Sequence, residues 1–352
     1  MRSLAPLLLL TAGLLAGSPC VASSLAPVRH QGRDYHRLAD WAQRESLRVA
    51  RAPNSRDVLA AGGRTRLQLQ IDTSRIDFNG VGVWLSYPVV LVDGQVLISS
   101  QDVRGVLDPL IRPPRLPASR RIRTICIDAG HGGKQPGQKA GSRLEKTYTL
   151  ALAQEVRSRL VAAGFRVVMT RESDTYVDVA ERAEIARRKG ADLFVSLHYN
   201  ATADGGSDAS GIEVYAMTPE GARSTNDSTD VGSLRAWAGN EFDRENLVLA
   251  YQLQKSLLAS LPGAPDRGVR RARFIVLRLA EMPAALVEGG FMSNPSDARW
   301  IYSITGRRKM AQAVVDGVLA FRRLTEPAPS QPQGSTTSRS SRSSTPPASA
   351  KN

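Results

Sequence analysis

The amino-acid sequence predicts an α/β domain, a mostly parallel sheet flanked by helices, preceded by a small α+β domain. Three observations carry this. Between residues 123 and 324, short apolar runs suited to strands alternate with longer stretches of helical periodicity. Within those stretches apolar residues recur every three or four positions, as in Tyr148, Leu152, Val156 and Leu160. Residues 24–110 instead show two-residue alternation broken by hairpin turn signals, with little helical pattern between.

Taken in order, the chain opens on a secretory signal pattern. Arg2 supplies a positive start, and residues 4–16 (LAPLLLLTAGLLA) form an apolar stretch too short to span a bilayer comfortably. Cleavage after Ala22 gives residues 1–22 as signal peptide and leaves Cys126 as the lone cysteine, which excludes a disulfide framework in the mature monomer. No later segment is apolar enough for a membrane span, so the expected location is the periplasm or the exterior of the cell wall. The formal net charge of +14 implies an acidic partner. Nucleic acid is a poor fit, since the chain carries an export signal, no zinc knuckle and only 5% aromatic residues. Anionic wall polymer fits better.

In the unit 24–110, a short helix is expected around Leu38 and Trp41. Leu67, Leu69 and Ile71 alternate with polar neighbours as in a half-buried strand, and Asn79-Gly80 and Asp93-Gly94 mark hairpins. A second helix is expected near residues 102–110. Residues 111–122 hold three prolines and four arginines and read as a linker. In the α/β unit the strand candidates are TICID (124–128), FRVVMT (165–170), LFVSL (193–197), IEVYA (212–216), FIVLR (274–278) and AALVE (284–288). Helical faces run through Leu247, Ala250, Gln254 and Leu261, and through Met310, Val314 and Phe321. Residues 325–352 are rich in Ser, Thr and Pro and almost devoid of apolar side chains, a composition that cannot offset chain entropy, so a disordered tail is expected.

Three polar residues fall where chemistry is expected. His131 follows the strand TICID through a short turn, His198 ends LFVSL, and Glu288 ends PAALV. Ligands of open α/β sheets bind beyond the carboxyl ends of the strands. The chain has four histidines, and the other two, His30 and His36, lie in the N-terminal unit. Glu145 shares a helical face with Thr149, Leu152 and Val156, so its carboxylate either faces the core beside a cation or sits exposed in a first turn, complementing the helix dipole. Two imidazoles and one carboxylate with a fourth position left to water make a catalytic Zn2+ shell. Glu288 is then available to move protons.

The strings DAGHGGKQPG (128–137), LEK (144–146), DLFVSLHYNA (192–201) and LVEGGFMSN (286–294) together resemble the zinc-dependent N-acetylmuramoyl-L-alanine amidase family over residues 123–324. TRESDTYVDVAERAEIARR (170–188) and GVRRARFIVLR (268–278) follow its pattern too. The resemblance implies His131, Glu145 and His198 as zinc ligands and Glu288 as the catalytic carboxylate. It implies peptidoglycan as partner, with cleavage between the lactyl group of N-acetylmuramic acid and L-alanine, and it leaves room for a protein activator. Residues 24–110 loosely resemble the copper-amine-oxidase N-terminal-like domain, with no copper site implied.

Two further expectations follow. An exported zinc carboxypeptidase is the alternative activity, with Arg171, Arg182 or Arg270 to meet a terminal carboxylate. The long polar segment 217–244, if its preceding strand is parallel to its neighbours, leaves from the edge that bears the site and forms a lid there. The N-terminal unit and basic tail are assigned to wall affinity.

Overall fold

A computed structural model describes residues 25–327 apart from 118, 201, 203–205, 228 and 231. The signal segment and nearly all of the tail lie outside the described residues. Among those described, no helix is long and apolar enough to cross a membrane.

The N-terminal unit begins with strands Val28–His30 and Arg33–Arg37, which join Gln95–Ser99 and Val90–Val92 in a four-stranded antiparallel sheet. Helix Leu38–Arg44 packs Leu38 and Trp41 beneath it. A meander follows: β1 (Arg48–Ala50), β2 (Asp57–Gly62), β3 (Thr65–Gln70), β4 (Arg75–Phe78) and β5 (Val81–Trp84). The β4–β5 turn puts Asn79 and Gly80 at φ of 52° and 81°, which the Asn-Gly pair tolerates at little cost. Alternation holds in β3, where Leu67 and Leu69 are buried and Arg66, Gln68 and Gln70 are exposed.

The second unit supplies β6 (Thr124–Ala129), β7 (Arg166–Met169), β8 (Leu193–Asn200), β9 (Ile212–Met217), β10 (Asp266–Ala272) and β11 (Ala284–Phe291). Its helices are α1 (Glu145–Ala162), α2 (Val179–Arg188), α3 (Asp243–Ser260), α4 (Ile275–Arg278) and α5 (Ile304–Thr325), with a short helix Pro295–Ile301 before the last. The sheet order is β7-β6-β8-β11-β9-β10, and it continues through β5-β4-β3-β2-β1 as one sheet of eleven strands. All pairings from β7 to β11 are parallel, as is β9 with β10, while β11 with β9 is antiparallel. The whole sheet is therefore mixed. The two units meet at Val269 of β10 against Val83 of β5, reinforced by the Gly82 amide on Asp266 (2.6 Å), Trp84 Nε1 on the Arg267 carbonyl (2.8 Å) and the Tyr251 hydroxyl on the Phe78 carbonyl (2.9 Å).

One face of the second unit's sheet is covered by α1, α3 and α5, whose apolar stripes share the main core with Ile125, Val195 and Val287. The other face carries only α2 and α4, over a smaller cluster that includes Tyr215, Val276 and Leu286. This thin cover leaves room for a cleft.

Two expectations are corrected here. FIVLR is a turn of helix, α4, and the strand in that region is the preceding DRGVRRA. Four apolar residues in a row fit a buried helical turn as well as a strand. The true strand reads as too charged, because its arginines find acceptors inside the protein. Arg271, almost fully buried, donates to the Gly105 carbonyl (2.5 Å) in the helical run that ends the N-terminal unit. The lid expectation fails because β9 runs antiparallel to β11, with Glu213 opposite Glu288 and Tyr215 opposite Leu286. Met217 thus ends at the far edge of the sheet. The segment beyond it packs instead on β10 and the N-terminal unit, through the Thr225 amide on the Arg271 carbonyl (2.9 Å) and Gln101 on the Glu220 carbonyl (2.6 Å). Its Asp230 is held by Arg273 and by the Ser224 amide.

Candidate active site

The loop after β6 is built to present one imidazole. Two buried arginines hold its backbone. Arg171 donates to the carbonyls of Ala129 (2.9 Å) and Gly130 (2.8 Å), and Arg182 to those of Ala129 and His131 (both 2.8 Å). Arg182 also pairs with the fully buried Asp128 at 2.7 Å, which accepts from Thr170 and Ser196 as well (2.6 Å each). Burial alone would push the Asp128 carboxyl up, but Arg182 and those hydroxyls outweigh it and hold the group below its ordinary range. Held so, His131 adopts φ of 60°, rare for a side chain other than glycine. Two glycines make space for the cluster. A Cβ on Gly130 would lie 2.3 Å from the His198 ring, and one on Gly137 would lie 2.5 Å from the Glu145 carboxylate.

Glu145 opens α1, and its face does turn to the core, with Thr149, Leu152 and Val156 buried along it. His131 Nε2 and Glu145 Oε2 are 3.0 Å apart, and His198 Nδ1 and Glu145 Oε1 are also 3.0 Å apart. The amides of Gln138 (2.8 Å) and Tyr199 (3.1 Å) complete the carboxylate's partners. One donor atom from each of His131, Glu145 and His198 lies within 4.8 Å of the others, a spacing that could hold a metal ion. No carboxylate of 217–244 joins that group among the described residues. Burial opposes ionisation of Glu145, but hydrogen bonds and charge from both histidines prevail and keep it well below the usual carboxylate range. Burial likewise disfavours the His198 cation, yet Glu145 outweighs it and raises the imidazole to about 9. A proton on the His198 imidazole thus offsets the charge of the Glu145 carboxylate.

Glu288 stands beside His198 in register on the neighbouring strand. Its Oε2 is buried without a hydrogen-bond partner. Burial above all raises its carboxyl to about 8, with Glu145 and Glu213 adding to the effect and His198 opposing it. All four residues expected from the sequence line one cavity of about 680 Å³, which runs from the imidazoles along the thinly covered face past Asn200, Phe274 and Leu286. A group that exchanges protons near neutrality, next to a cluster able to hold a cation, suits hydrolysis.

Sequence reasoning missed Asn200 and Glu213. Asn200 lies two positions after His198 on the same strand, a period-2 signal that was available. Glu213 was visible as the single acid inside the apolar run GIEVYA. Beside Glu288, Gly289 has a packing reason, since a Cβ there would lie 2.3 Å from the Met310 methyl.

A family model described as N-acetylmuramoyl-L-alanine amidase matches residues 125–320. N-acetylmuramoyl-L-alanine amidase LytC of Bacillus subtilis (strain 168) is 35% identical over 200 residues, covering 57% of this chain and 36% of its own length. N-acetylmuramoyl-L-alanine amidase AmiA of Escherichia coli (strain K12) is 31% identical over 234 residues, covering 59% of this chain and 79% of its own. The chain thus spans little more than a third of the one relative and about four fifths of the other. Among solved structures, N-acetylmuramoyl-L-alanine amidase AmiC2 of Nostoc punctiforme superimposes with a TM-score of 0.48 at 32% identity, covering 57% of this chain and 97% of that one.

Proposed function

We propose, from the premise that this chain belongs to the N-acetylmuramoyl-L-alanine amidase family, that it is an exported zinc enzyme which cuts the amide between N-acetylmuramic acid and L-alanine in peptidoglycan. The observation that carries this reading is the convergence of His131, Glu145 and His198 at one end of a cleft that also holds the unpartnered carboxylate of Glu288.

The donor set suits zinc. Two imidazole nitrogens and one carboxylate with a side open to the cleft are what a catalytic site offers. His131, Glu145 and His198 would hold the ion, and the two glycines that leave no room for a methyl fit a crowded first layer of ligands. Zinc, when bound, supplies Lewis acidity that polarises a carbonyl and acidifies water. The remaining work falls to the protein. Glu288 Oε2 takes a proton from the attacking water and returns it to the L-alanine nitrogen as the C–N bond breaks, so the leaving group departs as a neutral amine. The apolar wall of Phe274 and Leu286 excludes bulk water from one side of that transfer.

The carboxypeptidase reading loses its anchors. Arg171 and Arg182 spend their donors on the loop backbone and Asp128, and Arg270 sits against Glu213. The deciding experiment is mass analysis of products from purified sacculi, with and without chelator. Intact stem peptides with L-alanine amino termini, released only with metal present, are expected. Release of single terminal residues would overturn the assignment.

A further inference from the structure

Beside Glu288 lies a second buried carboxylate that the reaction described above does not use. Glu213 of β9 is opposite Glu288 of β11 in the antiparallel register and is 2% exposed. Directly opposed residues on neighbouring strands share a face, with Cβ atoms roughly 4.5–5.5 Å apart, and like charges placed so repel. The fold answers this from the far side. Arg267 Nε donates to Glu213 Oε2 at 2.9 Å, and Arg270 Nε forms an ion pair with the same oxygen at 3.1 Å. The other oxygen accepts from Asn200 Nδ2 (2.5 Å) and the Tyr215 hydroxyl (2.9 Å). Both arginines are also braced. Arg267 lies over the Phe291 ring, with its carbonyl bonded by Trp84 of the N-terminal unit, and Arg270 lies over the Trp84 ring.

We propose that Glu213 is a positioning residue for Glu288: it keeps the guanidinium groups of Arg267 and Arg270 to itself and so leaves Glu288 free of an arginine at the cleft. The inference rests on the reading of Glu288 as the proton carrier. Arginine stays charged at any working pH and binds carboxylates through paired donors. Were Glu213 neutral, the next carboxylate along the same face would be Glu288. An arginine paired to Glu288 would hold it ionised and turned from the cleft, unable to carry a proton. In the structure, among the described residues, both arginines sit on Glu213 and Glu288 Oε2 keeps no partner.

The test uses the full chain with zinc and a soluble muramyl peptide, reading kcat and KM separately, together with zinc content and thermal melting. Glu213→Gln should lower kcat by about ten-fold or more, with KM within about three-fold and zinc content unchanged, the pattern of a step lost without a loss of binding. Adding Arg267→Gln and Arg270→Gln to that variant should restore most of kcat, because nothing is left to capture Glu288. A merely structural role predicts the reverse, a further loss on removing two more side chains. Normal kcat in Glu213→Gln, or no recovery in a folded, zinc-loaded triple variant, overturns the proposal. If the single variant does not fold, the triple variant decides alone. Glu288→Gln is run alongside. Full activity there would mean that the reading of Glu288 itself has failed, whereas an inactive Glu288→Gln beside a normal Glu213→Gln sinks only the inference about Glu213.

Discussion

Arg182→Met tests how the loop that carries His131 is held. The guanidinium serves four acceptors: Asp128 Oδ1 (2.7 Å) and the carbonyls of Ala129 (2.8 Å), His131 (2.8 Å) and Val177 (3.1 Å). Methionine fills much of the volume but strands a fully buried carboxylate. Breaking a buried pair by removing one partner costs about 3–5 kcal/mol. Thr170 and Ser196 still donate to Asp128, which favours the lower half of that range. At roughly 2–4 °C per kcal/mol, the melting temperature should fall by roughly 6–16 °C. The cost also has a pH signature. Asp128 is held below its ordinary range in the folded protein, so its contribution is complete above the unfolded value, about 3.9, and is lost as pH falls through the folded value. In the variant burial dominates instead, and the folded protein takes up the proton first. The gap in stability between the two proteins should therefore be widest near neutrality and narrow on acidification. Urea melts at several pH values measure it, and zinc retention against a chelator should fall in parallel, since His131 loses the clamp on its carbonyl. A cost under about 1 kcal/mol at pH 7, or a gap that widens toward acid, would refute the argument.

Glu288→Gln should keep zinc in full yet lose about 10²- to 10⁴-fold in turnover, because the amide preserves size but not the proton shuttle. Metal analysis beside a rate assay checks this, and loss of zinc would make Glu288 a ligand. Gly289→Ala should cost about 1 kcal/mol or less, because the Met310 methyl it meets ends a flexible side chain that can turn aside, and thermal melts check this. Cys126 is fully buried and its thiol is pushed up by that burial, so a thiol reagent should label it only after unfolding, by intact-mass measurement. A fragment starting at residue 112 exposes the edge of β10 that β5 covers, so it should aggregate or melt well below the whole chain in light scattering and calorimetry.

The alternation of strand and helix was legible because each element buries a face of its own period, and five of six strand candidates coincide with strands. The placement of His131, His198 and Glu288 was legible for a related reason. Parallel strands put their carboxyl ends on one edge, so residues ending three such strands meet there. Glu145 was harder, since one residue at a helix start fits both a buried and an exposed role. What escaped notice depends on partners distant in sequence. DRGVRRA looks like surface, and becomes interior only because Glu213 and the Gly105 carbonyl accept from its arginines. The direction of β9 escaped for the same reason. A run such as IEVYA encodes its burial but not its orientation, and the lid expectation fell with that single unknown.

That reversal also bears on how the site is assembled. Had β9 run parallel to β11, the chain beyond Met217 would emerge over the cleft, and Glu213, near the start of β9, would lie toward the opposite edge. Running antiparallel, β9 brings the start of its run level with the carboxyl end of β11, which sets a carboxylate beside Glu288. β10 is parallel to β9, bulging beside it at Arg267 and placing Arg270 opposite Tyr215, and both guanidinium groups reach Glu213. The next strand outward is β5, whose Trp84 reaches both arginines. A row of ionisable side chains thus crosses four strands, from His198 through the paired acids Glu288 and Glu213 to the two arginines, and ends on an aromatic ring of a fifth strand, in the N-terminal unit. Rows of this kind are set by register, and a one-residue slip at any pairing would send the charged side chain to the apolar face. The N-terminal unit, by fixing the outer edge of that register, is built into the sheet that bears the candidate site, a role that affinity for wall polymer would neither require nor explain.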